Sequence, residues 1–85
     1  MKLRGNEIIK QDKVSVTTET SDPIVINGNV ILHNAGSSII YYSPYSDVSA
    51  DSSELAVGEK SPMYHIRTLY VVGTEASTLK YEILT

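Results

Sequence analysis

The clearest structural signal in the chain is residues 79–84, which read Leu-Lys-Tyr-Glu-Ile-Leu. Apolar and polar side chains alternate along this stretch, and successive side chains of a strand point to opposite faces of a sheet. One apolar and one polar face are typical of a half-buried antiparallel strand. The stretch therefore predicts a β-strand whose Leu79, Tyr81 and Ile83 face a core.

The other strand-like segments are short, rich in β-branched residues and separated by turn residues. They are residues 14–18, 24–26, 30–33, 39–42, 63–66 and 69–72. No segment keeps a helical period over three turns, so an α/β fold has no crossover helices. We predict an all-β fold: a small antiparallel β-sandwich, jelly-roll or immunoglobulin-like, with about seven short strands.

Two connections carry predictions of their own. Asn27-Gly28 favours the φ > 0 geometry of a tight turn, which predicts a hairpin between residues 24–26 and 30–33. Residues 43–54 are rich in Ser and Asp and predict a long polar connection. Within it, Asp51 followed by Glu54 resembles a capping box, so the alternative to a plain loop is one helical turn through residue 55.

The length of 85 residues allows one domain, which we place at residues 13–85. Ile8-Ile9 is too short and too closely flanked by charge to predict a core strand. Residues 1–12 are therefore expected to be either an edge strand or an N-terminal arm that orders against a neighbouring subunit, and the arm is slightly favoured.

The apolar composition predicts a thin core. Six tyrosines stand beside no phenylalanine and no tryptophan, and a tyrosine hydroxyl usually remains solvated or hydrogen-bonded. Ile, Val and Leu must therefore fill the interior. Because small scaffolds with lean cores often gain stability by assembling, we expect the chain to self-associate as a homo-oligomer.

Composition also argues against several classes of function. The chain has no cysteine, which excludes disulfides and thiolate chemistry. Its net charge is −3 and no segment carries a basic run, so we expect no nucleic-acid partner. No apolar run approaches the ~20 residues of a membrane span and no secretory h-region follows the basic start, so we expect no membrane partner and synthesis in a cytoplasm.

Candidate catalytic and metal residues do not form a recognisable motif. His33 and His65 are the only histidines, and Asp47, Asp51 and Glu54 are the nearest set of acids in the long connection. The histidines lack ligand spacing, the acids lack the pattern of a calcium loop, and no G-x-S-x-G stretch is present. We predict no catalytic residue, no metal and no cofactor, and hence no enzyme.

The tyrosines are the candidate contact residues. Tyr41, Tyr42 and Tyr45 cluster at a strand end beside the long polar connection, and adjacent strand residues cannot both face the core. Exposed Tyr among Ser is typical of adaptable recognition surfaces. The three tyrosines are therefore candidates for partner or glycan contact. The alternative is cross-strand packing of the outward ring against Tyr70 or Tyr81.

A larger pattern carries a resemblance. Residues 30–37 end in an Asn-x-Gly-Ser turn and continue into the Ile-Tyr-Tyr of residues 40–42. A Leu-x-x-Gly-Glu segment follows at residues 55–59, and a strand at residues 69–72 precedes the last alternating strand. This succession, over about residues 29–84, resembles small β-sandwich structural proteins of tailed bacteriophages and prophages.

The resemblance implies a virion component: a capsid decoration protein or a head or tail fibre subunit. Such a protein is made in the bacterial host cytoplasm and acts by assembling with other virion proteins on a particle. A glycan-binding module that uses the tyrosines and a small intracellular protein-binding regulator are the alternatives.

Overall fold

The computed structural model describes residues 8–84, and this part of the chain contains six β-strands. They are β1 (Ile8–Val16), β2 (Ile24–Asn34), β3 (Ile40–Ser43), β4 (Ser53–Leu55), β5 (Tyr64–Gly73) and β6 (Ser77–Leu84). They form one hydrogen-bonded sheet in the order β1-β6-β2-β5-β3-β4, and every neighbouring pair is antiparallel. The predicted all-β antiparallel fold is confirmed. The described strands number six because β2 and β5 each join two predicted segments, while β4 was not predicted as a strand.

The predicted hairpin at Asn27-Gly28 is wrong, because both residues lie within the continuous strand β2. Val25 pairs with Thr68 and Gly28 with Ile66, so β2 holds one residue more than β5 between the two pairs. Asn27 has a φ of 51°. The Asn-Gly preference for positive φ is thus met inside the strand, at a β-bulge, and bulges bend the strand that carries them.

The sheet folds into two layers because β2 and β5 each change partner along their length. The first half of β2 pairs with β5, whereas its second half pairs with β6 and, on the other side, bonds to residues 58–61. The second half of β5 pairs with β3, and its other side bonds to residues 17–21. The first layer is therefore β1, β6 and the second half of β2. The second layer is the second half of β5, β3 and β4.

Inward side chains of both layers form a single aliphatic core, as the composition predicts. Leu32, Ile40, Leu55, Leu69 and Leu79 are each at most 1% exposed. Two tyrosine rings, Tyr42 and Tyr81, complete the same cluster. The burial alternation of β6, with residues 79, 81 and 83 inside, confirms the strand predicted at residues 79–84.

The first described residues form an edge strand. Residues 8–12 belong to β1 and pair with β6, so this part of the chain takes the edge-strand alternative over the favoured arm; residues 1–7 lie outside the described residues. The edge is irregular, since the register shifts between Ile8 and Lys10. The outward N–H of Lys13 donates to the Asp12 carboxylate at 2.8 Å. Bulges and charges of this kind protect an edge from pairing with another strand.

The long connection contains no helical turn, so that alternative is wrong. Ser53–Leu55 forms the short strand β4, which pairs with β3 and places Leu55 in the core. A single helical turn has little stability by itself, whereas the extended conformation gains both backbone pairing and the burial of Leu55. Before β4, Ser49 and Ser52 bond each other: the Ser49 N–H donates to Ser52 Oγ at 3.0 Å and the Ser52 N–H to the Ser49 carbonyl at 2.9 Å.

Candidate functional site

The three candidate tyrosines have different environments. Tyr41 and Tyr42 are successive residues of β3 and point to opposite sides of the sheet: Tyr42 is 8% exposed, and Tyr41 lies half-buried on the outer side. Tyr45 follows the strand and is 70% exposed. A surface of all three rings does not exist in the structure, because the middle ring lies in the core.

Tyr42 is a structural core residue. Its hydroxyl lies 2.9 Å from that of Tyr64, and the two rings are tilted by 56° with centroids 5.8 Å apart. Burial, and after it the hydrogen bond with Tyr64, raises the pKa of the Tyr42 phenol above its ordinary value of 10.0. The group therefore stays protonated at neutral pH, which suits a hydrogen bond inside a core and not a proton-transfer role.

The outer side of the second layer carries a half-buried aromatic surface. Tyr41 pairs with Val72 of β5 and Glu54 of β4, and Tyr70 lies two residues from Val72 on the same side. We call Tyr41, Tyr70 and Val72 the tyrosine face. Its Tyr and Val side chains are half-buried and Glu54 is exposed. The register places Tyr70 diagonally across from Tyr41, whose direct cross-strand neighbour is Val72.

Acidic side chains recur along residues 47–54, and the last of them, Glu54 of β4, lies directly opposite Tyr41. Asp47, Asp51 and Glu54 are all exposed, and we call them the acidic margin. Val48 is 6% exposed and fixes the connection to the body of the domain. The Tyr45 N–H donates to Ser43 Oγ at 3.1 Å, and the Asp51 N–H to Ser49 Oγ at 3.2 Å. These bonds use backbone N–H groups and serine hydroxyls, so the carboxylates face solvent.

A buried polar cluster at the β2–β3 turn is the feature that the sequence analysis missed. Asn34 is fully buried and donates from Nδ2 to the carbonyls of Ser38 at 2.7 Å and Leu55 at 2.9 Å. Its Oδ1 accepts from the Gly36 N–H at 3.1 Å and from Ser77 Oγ at 3.0 Å. A Cβ on Gly36 would lie 2.1 Å from Ser77 Oγ, so only glycine fits there.

The Asn34 cluster has a structural role. In residues 8–84 no buried side-chain nitrogen or oxygen lacks a hydrogen-bond partner, so the cluster leaves no inward group free for a ligand. The Asn-x-Gly-Ser turn was visible in the sequence, since Asn often bonds backbone two residues on. The partners Leu55 and Ser77 were not, because both are distant in the chain.

The two histidines are not brought together with the acids. His33 is half-buried on the outer side of β2. His65 of β5 pairs with Asn29 of β2, and its Nδ1 lies 2.9 Å from Asn29 Oδ1. Within residues 8–84, no group of three or more His, Asp or Glu side chains is placed to hold a metal ion. The His33 and His65 metal alternative gains no geometric support.

Comparison with protein families, with curated proteins and with solved structures finds no match to this chain. Residues 8–84 contain no helix that is long and apolar enough to cross a bilayer.

Proposed function

We propose that the chain is a non-enzymatic structural subunit of a virion, of the capsid decoration or fibre type. It acts by assembling on a larger particle, as a homo-oligomer in which a trimer is favoured, and other virion proteins are its partners. The resemblance over residues 29–84 supports the particle, and the lean aliphatic core supports assembly.

The observation that carries the proposal is the tyrosine face. Tyr41, Tyr70 and Val72 are neighbouring large side chains on the outer side of a sheet, and each of them is only half-buried in a single copy. Interfaces are enriched in aromatic residues at their centre and are bordered by polar groups. The tyrosine face has aromatic rings at its centre and the exposed Glu54 of the acidic margin beside them, which agrees with the composition of an interface.

Sedimentation velocity at micromolar concentration tests the assembly. We expect the wild-type protein to sediment as an oligomer, and Tyr41→Thr to shift it toward the monomer while the β-type circular dichroism spectrum is kept. Thr retains strand propensity but removes the ring. Ile9→Thr is the matched control, because Ile9 is 63% exposed on β1 and lies outside the tyrosine face.

Binding to a particle is the second half of the test. Co-sedimentation with virions that lack the protein is expected to retain wild type in the pellet and to lose Tyr41→Thr. A wild-type protein that stays monomeric at all concentrations and binds no particle would overturn the proposal.

A glycan-binding module is the second candidate, favoured by the high exposure of Tyr45 next to the half-exposed Tyr41. Only these two of the three tyrosines have rings on which a sugar can stack. Binding on a glycan array that is lost in Tyr45→Ala would support this function, and an array without a hit would remove it.

A further inference from the structure

The outer side of the first layer carries a row of basic side chains that strand register brings together. Lys13 of β1 pairs with Lys80 of β6, Lys80 with His33 of β2, and His33 with Lys60. We call these four residues the basic row. With a strand spacing of about 4.8 Å, the row spans roughly 15 Å. Its three lysines are three of the seven Lys and Arg residues of a chain whose net charge is −3.

The basic row lines a groove of about 370 Å³, and the two acids of its lining, Asp12 and Glu82, are outnumbered by its three lysines. Gln11, Glu82 and Ile31 form the neighbouring row of the same groove. Glu82 accepts a hydrogen bond from Gln11 Nε2 at 2.9 Å. Ile31 is half-buried and gives the groove an apolar floor beside the cations.

Like charges that lie directly opposite each other across strands destabilise a sheet. The basic row places Lys13 directly opposite Lys80 in this arrangement, on the neighbouring strands β1 and β6. An isolated copy therefore bears an electrostatic cost that an anionic partner on the groove would remove. The arrangement is that of a surface adapted to an occupant with negative charge.

The chain itself contains a matching surface. The acidic margin is exposed, and its Glu54 lies directly opposite Tyr41 of the tyrosine face. The tyrosine face and the basic row lie on the outer sides of different layers. One copy can therefore present its tyrosine face to a second copy while its own basic row receives the tyrosine face of a third. A tyrosine ring from one copy would meet the Ile31 floor of the next, and the acids would meet the lysines.

We propose that the basic row is the docking surface for the acidic margin and tyrosine face of a second copy, so that copies associate head to tail. This inference rests on the proposed function, because it names the surface that receives the tyrosine face. Such a contact is heterologous: it closes into a ring or extends into a filament according to the rotation between copies. A long polyanion is a poorer occupant, because acids outnumber Lys and Arg by ten to seven in the chain.

Charge reversal on each side tests the pairing. Lys80→Glu inverts the centre of the basic row, and Glu54→Lys inverts the acid beside Tyr41. We expect each variant to weaken association at least about tenfold in Kd, corresponding to ~1.4 kcal/mol. Association of the wild type should also weaken steeply between 0.1 M and 1 M salt, over which the Debye length falls from about 10 Å to about 3 Å. Sedimentation velocity gives the readout.

The matched controls are Lys10→Glu and Glu75→Lys, which make the same charge changes at exposed sites outside both surfaces. They should associate like the wild type. An equimolar mixture of Lys80→Glu and Glu54→Lys should recover assembly, because the intact margin of the first fits the intact row of the second and the two reversed surfaces fit each other.

The outcomes separate this inference from the proposed function. A wild-type oligomer that loses assembly in both variants and regains it in the mixture supports the inference. A wild-type oligomer that Lys80→Glu and Glu54→Lys leave unchanged overturns the inference but keeps the function. Loss in Lys80→Glu alone, without recovery in the mixture, also overturns it, since the occupant is then another acidic partner. A monomeric wild type that binds no particle overturns both.

Discussion

His33 and Asn34 are consecutive residues of β2, and their surroundings are opposite. Asn34 points inward, is fully buried and makes four hydrogen bonds, so that its whole amide is used. His33 points outward and stands between Lys80 and Lys60. In residues 8–84 the buried polar side chains all have hydrogen-bond partners. In the basic row, by contrast, Lys13 and Lys80 carry like charges directly opposite each other. The inward groups serve stability, and we attribute the outward ones to assembly.

Replacing Asn34 should have the largest effect on the inward side of this comparison. Asn34→Ala would remove the side-chain partner of the Leu55 carbonyl and of the Gly36 N–H, and would leave the Ser38 carbonyl with only its bond from Ser77 Oγ. Buried groups that lose their hydrogen bonds cost about 1–3 kcal/mol each, so we expect a loss of about 3 kcal/mol after relaxation. Urea unfolding followed by circular dichroism measures it.

Asn29→Ala is the control for Asn34→Ala, because it removes the same side chain from the same strand on the outer side. Asn29 contacts His65 at the surface, and its removal should change the free energy of unfolding by less than about 0.5 kcal/mol. Equal losses in the two variants would contradict the distinction between inward and outward polar groups.

The Tyr42–Tyr64 pair is the second inward polar contact and should be worth less. Tyr42→Phe removes one hydroxyl and keeps the ring in the core, so we expect a loss of about 1 kcal/mol, the net value of one hydrogen bond. Tyr41→Phe, which removes a hydroxyl on the outer side, should change stability little. A double-mutant cycle with Tyr64→Phe should return most of the loss as coupling between the two hydroxyls, and an additive cycle would show that the 2.9 Å contact contributes nothing.

The two buried phenols of the core, Tyr42 and Tyr81, predict a loss of stability at alkaline pH. Burial raises the pKa of Tyr42 and, together with the charge of Asp12, that of Tyr81 above the ordinary value of 10.0. Above pH 10 the unfolded chain releases these protons before the folded one does, so the folded state loses stability as pH rises. Thermal melts from pH 8 to about pH 11 should show the decline, and Tyr42→Phe should flatten it in part, leaving the share of Tyr81. An unchanged slope would mean that the Tyr42 phenol ionises equally in both states.

The sequence predicted what depends on neighbouring residues. The alternation at residues 79–84 predicted β6 and its inward side chains, and the positive φ of Asn27 follows from Asn-Gly chemistry. The sequence did not predict that this φ serves a bulge, because the choice between turn and bulge depends on where β5 and β6 pair with β2. The basic row was invisible for the same reason. Lys13, His33, Lys60 and Lys80 lie about twenty or more residues apart, and only the register of distant strands aligns them.

The smallest expected change in the free energy of unfolding is that of Lys80→Glu, on the outer side of the first layer. Lys80→Glu turns the like-charge pair of Lys13 and Lys80 into a pair of opposite charges, and cross-strand charge pairs are worth roughly 0.2–1 kcal/mol. Glu82, two residues away on the same side, offsets part of this, so we expect a gain of about 0.5 kcal/mol in urea unfolding at low salt. Lys10→Glu, whose cross-strand neighbour is Ile83, should give no such gain, and 1 M salt should abolish the gain of Lys80→Glu. A variant that folds more stably but assembles less well would show that the row is retained for contact and not for folding. A loss of stability in Lys80→Glu at low salt would mean that the lysines do not repel each other in the folded protein.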